Sequence, residues 1–256
     1  MRHCSSFKEH VLRRLEQLRS PASFKAMVAK VFCVLILLWF ESPALAFQSD
    51  HVEQLRLTGT CPRCDLSNYA FPAGADLRKA DLNKSNLSGA SMQDARLDGA
   101  NFQEATLTRI NLIGSSLIGA NLAGANLEFA KLENVTANSS NFTGASLKHA
   151  NLKGVYAQRA ILVKSDLTQT NFVGSKLTRA NFTDAQLIGS NLKGSNLISS
   201  NFSNANLSEA NLEDTLLNNT NFSKANLSRA NLTGAYILKT NLEGATLTDA
   251  IGVHRF

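Results

Sequence analysis

Between residues 75 and 249 the chain has no cysteine and a single histidine, His149. Most of the molecule therefore lacks the side chains that usually serve as nucleophile, general base or soft metal ligand. The carboxylates there are scattered, and the glycines fall singly at turn spacing, so no glycine-rich phosphate loop occurs. These absences predict no catalytic residue, no cofactor site and no metal site. Long apolar runs are missing too. The longest, Val31–Phe40, has ten residues, about half of the ~20 that span a bilayer. Nor is there a charge excess outside the N-terminus. The whole chain is +6, but residues 1–46 hold seven basic and three acidic side chains, leaving 19 basic against 17 acidic. A near-neutral body shows no basic stripe for nucleic acid.

What the chain has instead is a five-residue period. Thirty-five consecutive repeats run from Ala75 to Asp249 without insertion or deletion, each centred on an apolar residue, here position i: Leu77, Leu82, Leu87, Met92, Leu97, Phe102 and onward to Leu247. A helix would rotate successive members of this series by about 140° around its surface, and a flat strand would put them on alternate faces. Both are excluded if every Leu is to be buried. One path buries them all: each pentapeptide forms one side of a square, with a turn at each corner and 20 residues per coil. Coils stacked at about 4.8 Å make a rod of roughly 42 Å.

The phenylalanines support the 20-residue coil. Of six at position i, five (Phe102, Phe142, Phe182, Phe202 and Phe222) differ by multiples of 20, and only Phe172 falls on another side. Position i−2 is Ala, Ser or Thr in 32 of the 35 repeats, as a cramped inward corner demands. Where i shrinks to Ala137 and Ala157, i−2 grows to Val135 and Val155, one coil apart. Position i−1 is Asn in 18 repeats and Asp in three, which suits an outward turn residue and side-chain ladders between coils.

Ala75-Asp76-Leu77, Ala100-Asn101-Phe102, Ala120-Asn121-Leu122 and Ala230-Asn231-Leu232 resemble the A-[DN]-[LF]-x-x motif of pentapeptide-repeat proteins, over about 70% of the chain. The resemblance implies that family's all-β solenoid, a right-handed quadrilateral β-helix. A leucine-rich repeat would need a different spacing and a period of about 20–29.

The remaining segments are read individually. Residues 1–46 carry Lys25 and Lys30, the short apolar run, and Ala44-Leu45-Ala46 as an A-x-A cleavage site, which together predict an export signal. Met27 offers an alternative start. No stable membrane span remains after cleavage. Residues 47–64 form an N-terminal cap, with a short capping helix at Ser49–Thr60. Asp50 is its expected cap, Glu53 the capping-box partner, and Val52, Leu55 and Leu57 its apolar contacts. Cys61-Pro62-Arg63-Cys64 admits a disulfide clamp, a redox-active pair or, with His51, a poor zinc site. The repeat β-helix covers 65–249, with one slip of a single residue at Pro72-Ala73-Gly74. The tail, 250–256, is too short to cover the last coil, so a homodimer through the C-terminal end is expected. The order of signal, helix, Cys-Pro-x-Cys-Asp-Leu and repeats is similar to exported cyanobacterial and plastid-lumen members, which implies a periplasm or thylakoid lumen.

One side of the square relaxes the repeat grammar. Its i−1 column reads Arg96, Ser116, Thr136, Tyr156, Lys176, Asn196, Leu216, Tyr236. Tyr156, Ile198, Leu216, Tyr236 and Leu238 are the candidate partner surface. The leading function is a non-enzymatic exported solenoid that binds or scaffolds an unidentified protein. A redox-responsive protein switched at Cys61–Cys64 is the alternative. A DNA-mimicking, gyrase-binding role, found in some members with an acidic rod, would require the apolar N-terminal segment not to export the chain.

Overall fold

The computed structural model describes the backbone of residues 43–253 and side chains from Ser49 onward. The chain divides into two units, Met1–Phe47 and Gln48–Phe256. Of the first, only the start of a helix is described. The apolar run, Met27 as a start, and His254–Phe256 of the tail lie outside the described residues.

In the second unit the repeats from Asp76 to Asn231 each make a single parallel bridge, at position i−1, to the residue 20 further on, as in Asn101↔Asn121↔Asn141. Four bridges and four turns complete a coil. With a turn every five residues, no segment is long enough to extend its pairing into a continuous strand. Three bridges near the start, Thr60↔Asp81, Asp65↔Asn86 and Ala70↔Ser91, are offset by 21. They straddle the extra residue at Pro72-Ala73-Gly74, so the slip lies where the sequence places it.

The five backbone N–H groups of a repeat account for the repeat's grammar. That of position i donates to the next coil (Leu87 to Thr106 O, 2.7 Å), as does that of i+2 (Gly89 to Thr108 O, 2.8 Å). That of i+3 closes the turn onto i (Ala90 to Leu87 O, 3.0 Å), and that of i−1 reaches the previous coil (Ser91 to Tyr69 O, 2.9 Å). Only the N–H of i+1 has no backbone acceptor. Asn at i−1 supplies one: Ser88 N–H donates to Asn86 Oδ1 at 3.1 Å and Gln103 N–H to Asn101 Oδ1 at 3.2 Å. The Asn therefore gives this N–H an acceptor that the backbone does not, where an unpaired donor shut away from water would cost about 1–3 kcal/mol. These side chains lie along the wall, half-buried, rather than pointing outward. Their Nδ2 groups reach the acceptor one coil back, giving a ladder Asp81–Asn101–Asn121–Asn141 at 2.9, 3.2 and 3.3 Å.

Position i+2 has positive φ throughout, for example Lys84 at 56° and Gly119 at 64°, as a type II turn requires at its third residue. Position i fills the lumen: Leu82, Leu87, Leu97 and Phe202 are fully buried. Val135, Ala137, Val155 and Ala157 are all buried, and the Thr136↔Tyr156 bridge sets them in adjacent coils. Most Ser and Thr at i−2 donate to a carbonyl inside the coil, as where Ser85 Oγ donates to Leu82 O at 2.6 Å, whereas the buried hydroxyls of Ser190 and Ser195 have no partner.

The cap departs from the sequence reading. Helix α1 runs Pro43–Thr58, six residues earlier than Ser49, with proline at its first position, where a missing N–H costs nothing. Asp50 is therefore inside the helix and caps nothing. Glu53 forms a two-pronged pair with Arg56 (2.7 and 2.7 Å) instead of a capping box. Leu55 is buried and Val52 packs on the core, but Leu57 is 68% exposed, because two residues rotate a helix by about 200°. Gly59, at φ 68°, ends the helix with its N–H on Leu55 O.

Cys61 and Cys64 occupy one inward corner of the first coil, with Cα atoms 5.4 Å apart and their sulfurs in disulfide geometry. Both are buried, and Cys61 Sγ lies 3.2 Å from His51 O of α1. His51 Nδ1 accepts the Asp65 N–H at 3.1 Å, tying helix to coil a second time.

Candidate functional site

Name the four sides by their position-i residues: face A holds Leu82 and Phe102, face B Leu87 and Leu107, face C Met92 and Leu112, face D Leu77 and Leu97. The register places the relaxed column on face D as one continuous line, Asp76↔Arg96↔Ser116↔Thr136↔Tyr156↔Lys176↔Asn196↔Leu216↔Tyr236. Lacking Asn at most of its i−1 positions, face D satisfies its i+1 donors differently. Ile118 N–H donates to Asp98 (3.2 Å), Gln158 N–H to Asn138 Oδ1 (2.9 Å) and Leu238 N–H to Asn218 Oδ1 (3.1 Å). Each acceptor sits at i+1 of the coil before. Asp98, Asn138 and Asn218 thus free three i−1 positions (Ser116, Tyr156 and Tyr236) from the backbone role that Asn fills elsewhere.

The five candidate residues separate into two groups. Leu216 and Tyr236 are bridge neighbours, with Leu238 beside them and Ile198 one coil before Leu216. Tyr236 and Leu238 are 61% and 68% exposed, while Ile198 and Leu216 are half-buried. A hollow of about 630 Å³ adjoins Tyr236 and Leu238, lined also by Asn218, Lys239 and Leu242 among others. Tyr156 stands apart, three coils before Leu216 by register. Its ring lies beneath Lys176 Nζ, 4.4 Å from the centroid, and its hydroxyl is 3.4 Å from the same nitrogen.

Charge also divides this face. Its acids cluster at the N-terminal end. Asp76 is held at a pKa of about 2, chiefly by its hydrogen bond from Arg78, with Arg96 nearby at 3.6 Å. Asp98 accepts from Ser116 Oγ. From Gly99 to Thr240 the repeats of face D contain no Asp or Glu, and they carry Arg159, Lys176, Arg179 and Lys239. Sorting the columns by sign of charge is the signal that would have found the three central cations. Sequence reasoning also passed over exposed Phe129 on face B, stacked on His149 at 4.9 Å with Arg109 5.4 Å from its centroid. Ile118 on face D was passed over as well.

Among the described residues burial falls off in the last coil. Ile237, Leu242, Leu247 and Ala250 are only partly buried, whereas Leu217, Phe222 and Leu227 one coil earlier are fully buried. Among the described residues no cluster of His, Cys, Asp and Glu could hold a metal ion, and no helix is long and apolar enough to cross a membrane.

Comparison with known proteins sets this geometry in a family. The profile of a pentapeptide repeat region matches residues 140–212 and 165–247, and that of pentapeptide repeats in eight copies matches 73–109 and 100–136. HetL, a pentapeptide repeat protein involved in heterocyst differentiation regulation in the cyanobacterium Nostoc sp. strain PCC 7120, is 30% identical; 78% of this chain and 91% of HetL are covered, with a TM-score of 0.46. Rfr23 from the cyanobacterium Cyanothece 51142 is 22% identical over 53% of this chain and 99% of its own, with a TM-score of 0.34. AT2G44920, from the Arabidopsis thaliana thylakoid lumen, is 33% identical over 35% of this chain and 59% of its own, with a TM-score of 0.20. No curated protein matches the chain. With its repeats matched along most of their length and HetL 30% identical across most of both chains, this chain belongs to the pentapeptide-repeat family.

Proposed function

We propose that this protein is a non-enzymatic, right-handed β-solenoid, exported to a periplasm or thylakoid lumen, that binds a protein partner through the C-terminal half of face D. The observation that carries the reading is the pair of exposed apolar side chains Tyr236 and Leu238, with half-buried Leu216 beside them, set on a wall whose other faces are lined largely by Asn at i−1. Water gains nothing from such a cluster, and a partner that covers it does. Replacing Leu216, Tyr236 and Leu238 with Asn, Lys and Asn tests it. Loss of the captured partner is expected. Retention of the same partner and the same oligomeric state would reduce the cluster to surface drift.

Export rests on the Ala44-Leu45-Ala46 signature and the ten-residue apolar run before it. A mature N-terminus at Phe47 is the expected result, and an intact membrane-bound chain would refute it. Burial of both cysteines favours a structural clamp over a switch, because thiol exchange needs access to a sulfur. The partial burial of the last coil supports a homodimer through that end. Light scattering at micromolar concentration should give twice the chain mass, and a monomer would contradict it.

A further inference from the structure

We propose that face D between Tyr156 and Leu238 docks a short extended segment of its protein partner that is acidic at one end and apolar at the other, the acidic end on Arg159, Lys176 and Arg179. The inference rests on the protein-binding reading above and adds the chemistry of the occupant.

Three observations carry it. First, the seven successive face-D repeats 115–119, 135–139, 155–159, 175–179, 195–199, 215–219 and 235–239 contain no acidic residue, whereas Asp184 on face A, Glu128 on face B and Glu133 on face C interrupt the others. Second, Arg159, Lys176 and Arg179 are exposed and, among the described residues, none makes an ion pair. Elsewhere, adjacent coils neutralise one another, as Lys84 with Glu104 (3.4 Å), Lys193 with Glu213 (2.8 Å) and Arg229 with Glu209 (2.5 Å). Arg159 and Arg179 share one column in successive coils, about 4.8 Å apart along the axis, and like charges so placed repel. A carboxylate seated between them relieves that repulsion. Tyr156 holds the Lys176 ammonium beside the pair. Third, the same wall continues into Ile198, Leu216, Tyr236 and Leu238.

The spacing sets the occupant's size. Arg159 and Leu238 are four coils apart, roughly 19 Å, which about six extended residues span. Nucleic acid fits less well. Duplex DNA carries a phosphate charge about every 1.7 Å, far denser than three cations, and has nothing to place on the apolar half.

Fluorescence anisotropy on the full chain tests this. The probes are synthetic peptides of about ten residues, half Glu and Asp and half Leu and Phe, made in both orders. A version with Lys in place of the acids and a single-stranded oligothymidine of similar length accompany them. An acid-bearing peptide should bind, more weakly as salt rises, and the Lys version should not. The triple variant Arg159→Glu, Lys176→Glu, Arg179→Glu should lose about tenfold or more in affinity. Reversal of Lys131, Lys164 and Lys224, exposed on faces C and A, should leave binding unchanged, and circular dichroism should show all variants folded. Failure of the wild type to bind either acidic peptide at low salt overturns the inference. So does equal binding by the two triple variants, or tighter binding of the oligothymidine. If the charge variant keeps the native partner while the Leu216/Tyr236/Leu238 variant loses it, the charge inference fails and the protein-binding reading stands. If both keep the partner, both fall.

Discussion

Phe202 lies between two other rings in the lumen, 4.5 Å from Phe182 with planes 2° apart and 5.0 Å from Phe222 with planes 17° apart. Phe102 lies in the same column, but its register neighbours are Leu82 and Leu122, and no ring contacts it among the described residues. Both phenylalanines are buried to within 1%. Replacing either by Leu removes a similar apolar volume. At Phe202 the change also removes two ring–ring contacts, each worth about 0.5–1.5 kcal/mol beyond burial. Phe202→Leu should therefore cost about 1–3 kcal/mol more than Phe102→Leu. Urea unfolding with linear extrapolation measures both. The slopes must agree for the comparison to hold, since a solenoid can unfold in segments. Hydrogen exchange of the amides in the two coils locates the loss. Equal costs within about 0.5 kcal/mol would refute the stacked column as a source of stability.

Asn121 accepts the Ala123 N–H at 3.2 Å and links the ladder to Asn101 and Asn141. Asn121→Ala should cost about 1–3 kcal/mol in urea, and Asn121→Asp, which keeps the acceptor, should cost less. Asp76 has its pKa lowered to about 2, first by the hydrogen bond from Arg78. A depressed carboxylate stabilises the fold above its unfolded pKa and loses that effect as pH falls through its folded value. The stability difference between wild type and Asp76→Asn, measured by denaturation at stepped pH, should shrink between about pH 4 and pH 2 and stay flat above. A difference unchanged across that window would remove the ion pair from the account. Replacing Cys61 and Cys64 together by Ser closes no loop in the unfolded chain; for so short a loop the loss is about 2 kcal/mol. Protection should fall in the coil beneath α1 and persist around Phe202, as exchange mass spectrometry would show.

The coil was legible because burial repeats with it. The five-residue period, the 20-residue register of Phe102, Phe142, Phe182, Phe202 and Phe222, the Val135/Ala137 volume exchange and the slip at Pro72-Ala73-Gly74 are all volume signals, and volume is written in residue type. The start of α1 was not legible. Asp50 and Glu53 carry local capping chemistry, and Pro43 followed by Ala44-Leu45-Ala46 supports an earlier start that only the whole helix reveals. Leu57 misled because apolar character does not say which way a helix turns. The Asn at i−1 was read as a turn residue, whereas its role follows from one N–H that the coil leaves without a backbone acceptor. On face D that acceptor moves to Asp98, Asn138 and Asn218. Their spacing by multiples of 40 is visible in the sequence, but its meaning depends on a hydrogen bond between coils. Tyr156 was grouped with Leu216 and Tyr236 by column alone, and the intervening coils place it instead with Lys176.

Everything assigned to face D depends on residues 20 apart lying one coil apart on the same wall. Pulsed electron spin resonance on the full chain measures this directly, with one spin label at Tyr236 and a second at Tyr156, Thr136 or Ser116. Stacked coils predict separations of roughly 19, 24 and 29 Å, each step adding about 4.8 Å. Distances that fail to rise by equal steps, or that change direction along the series, would contradict the coil and the face together.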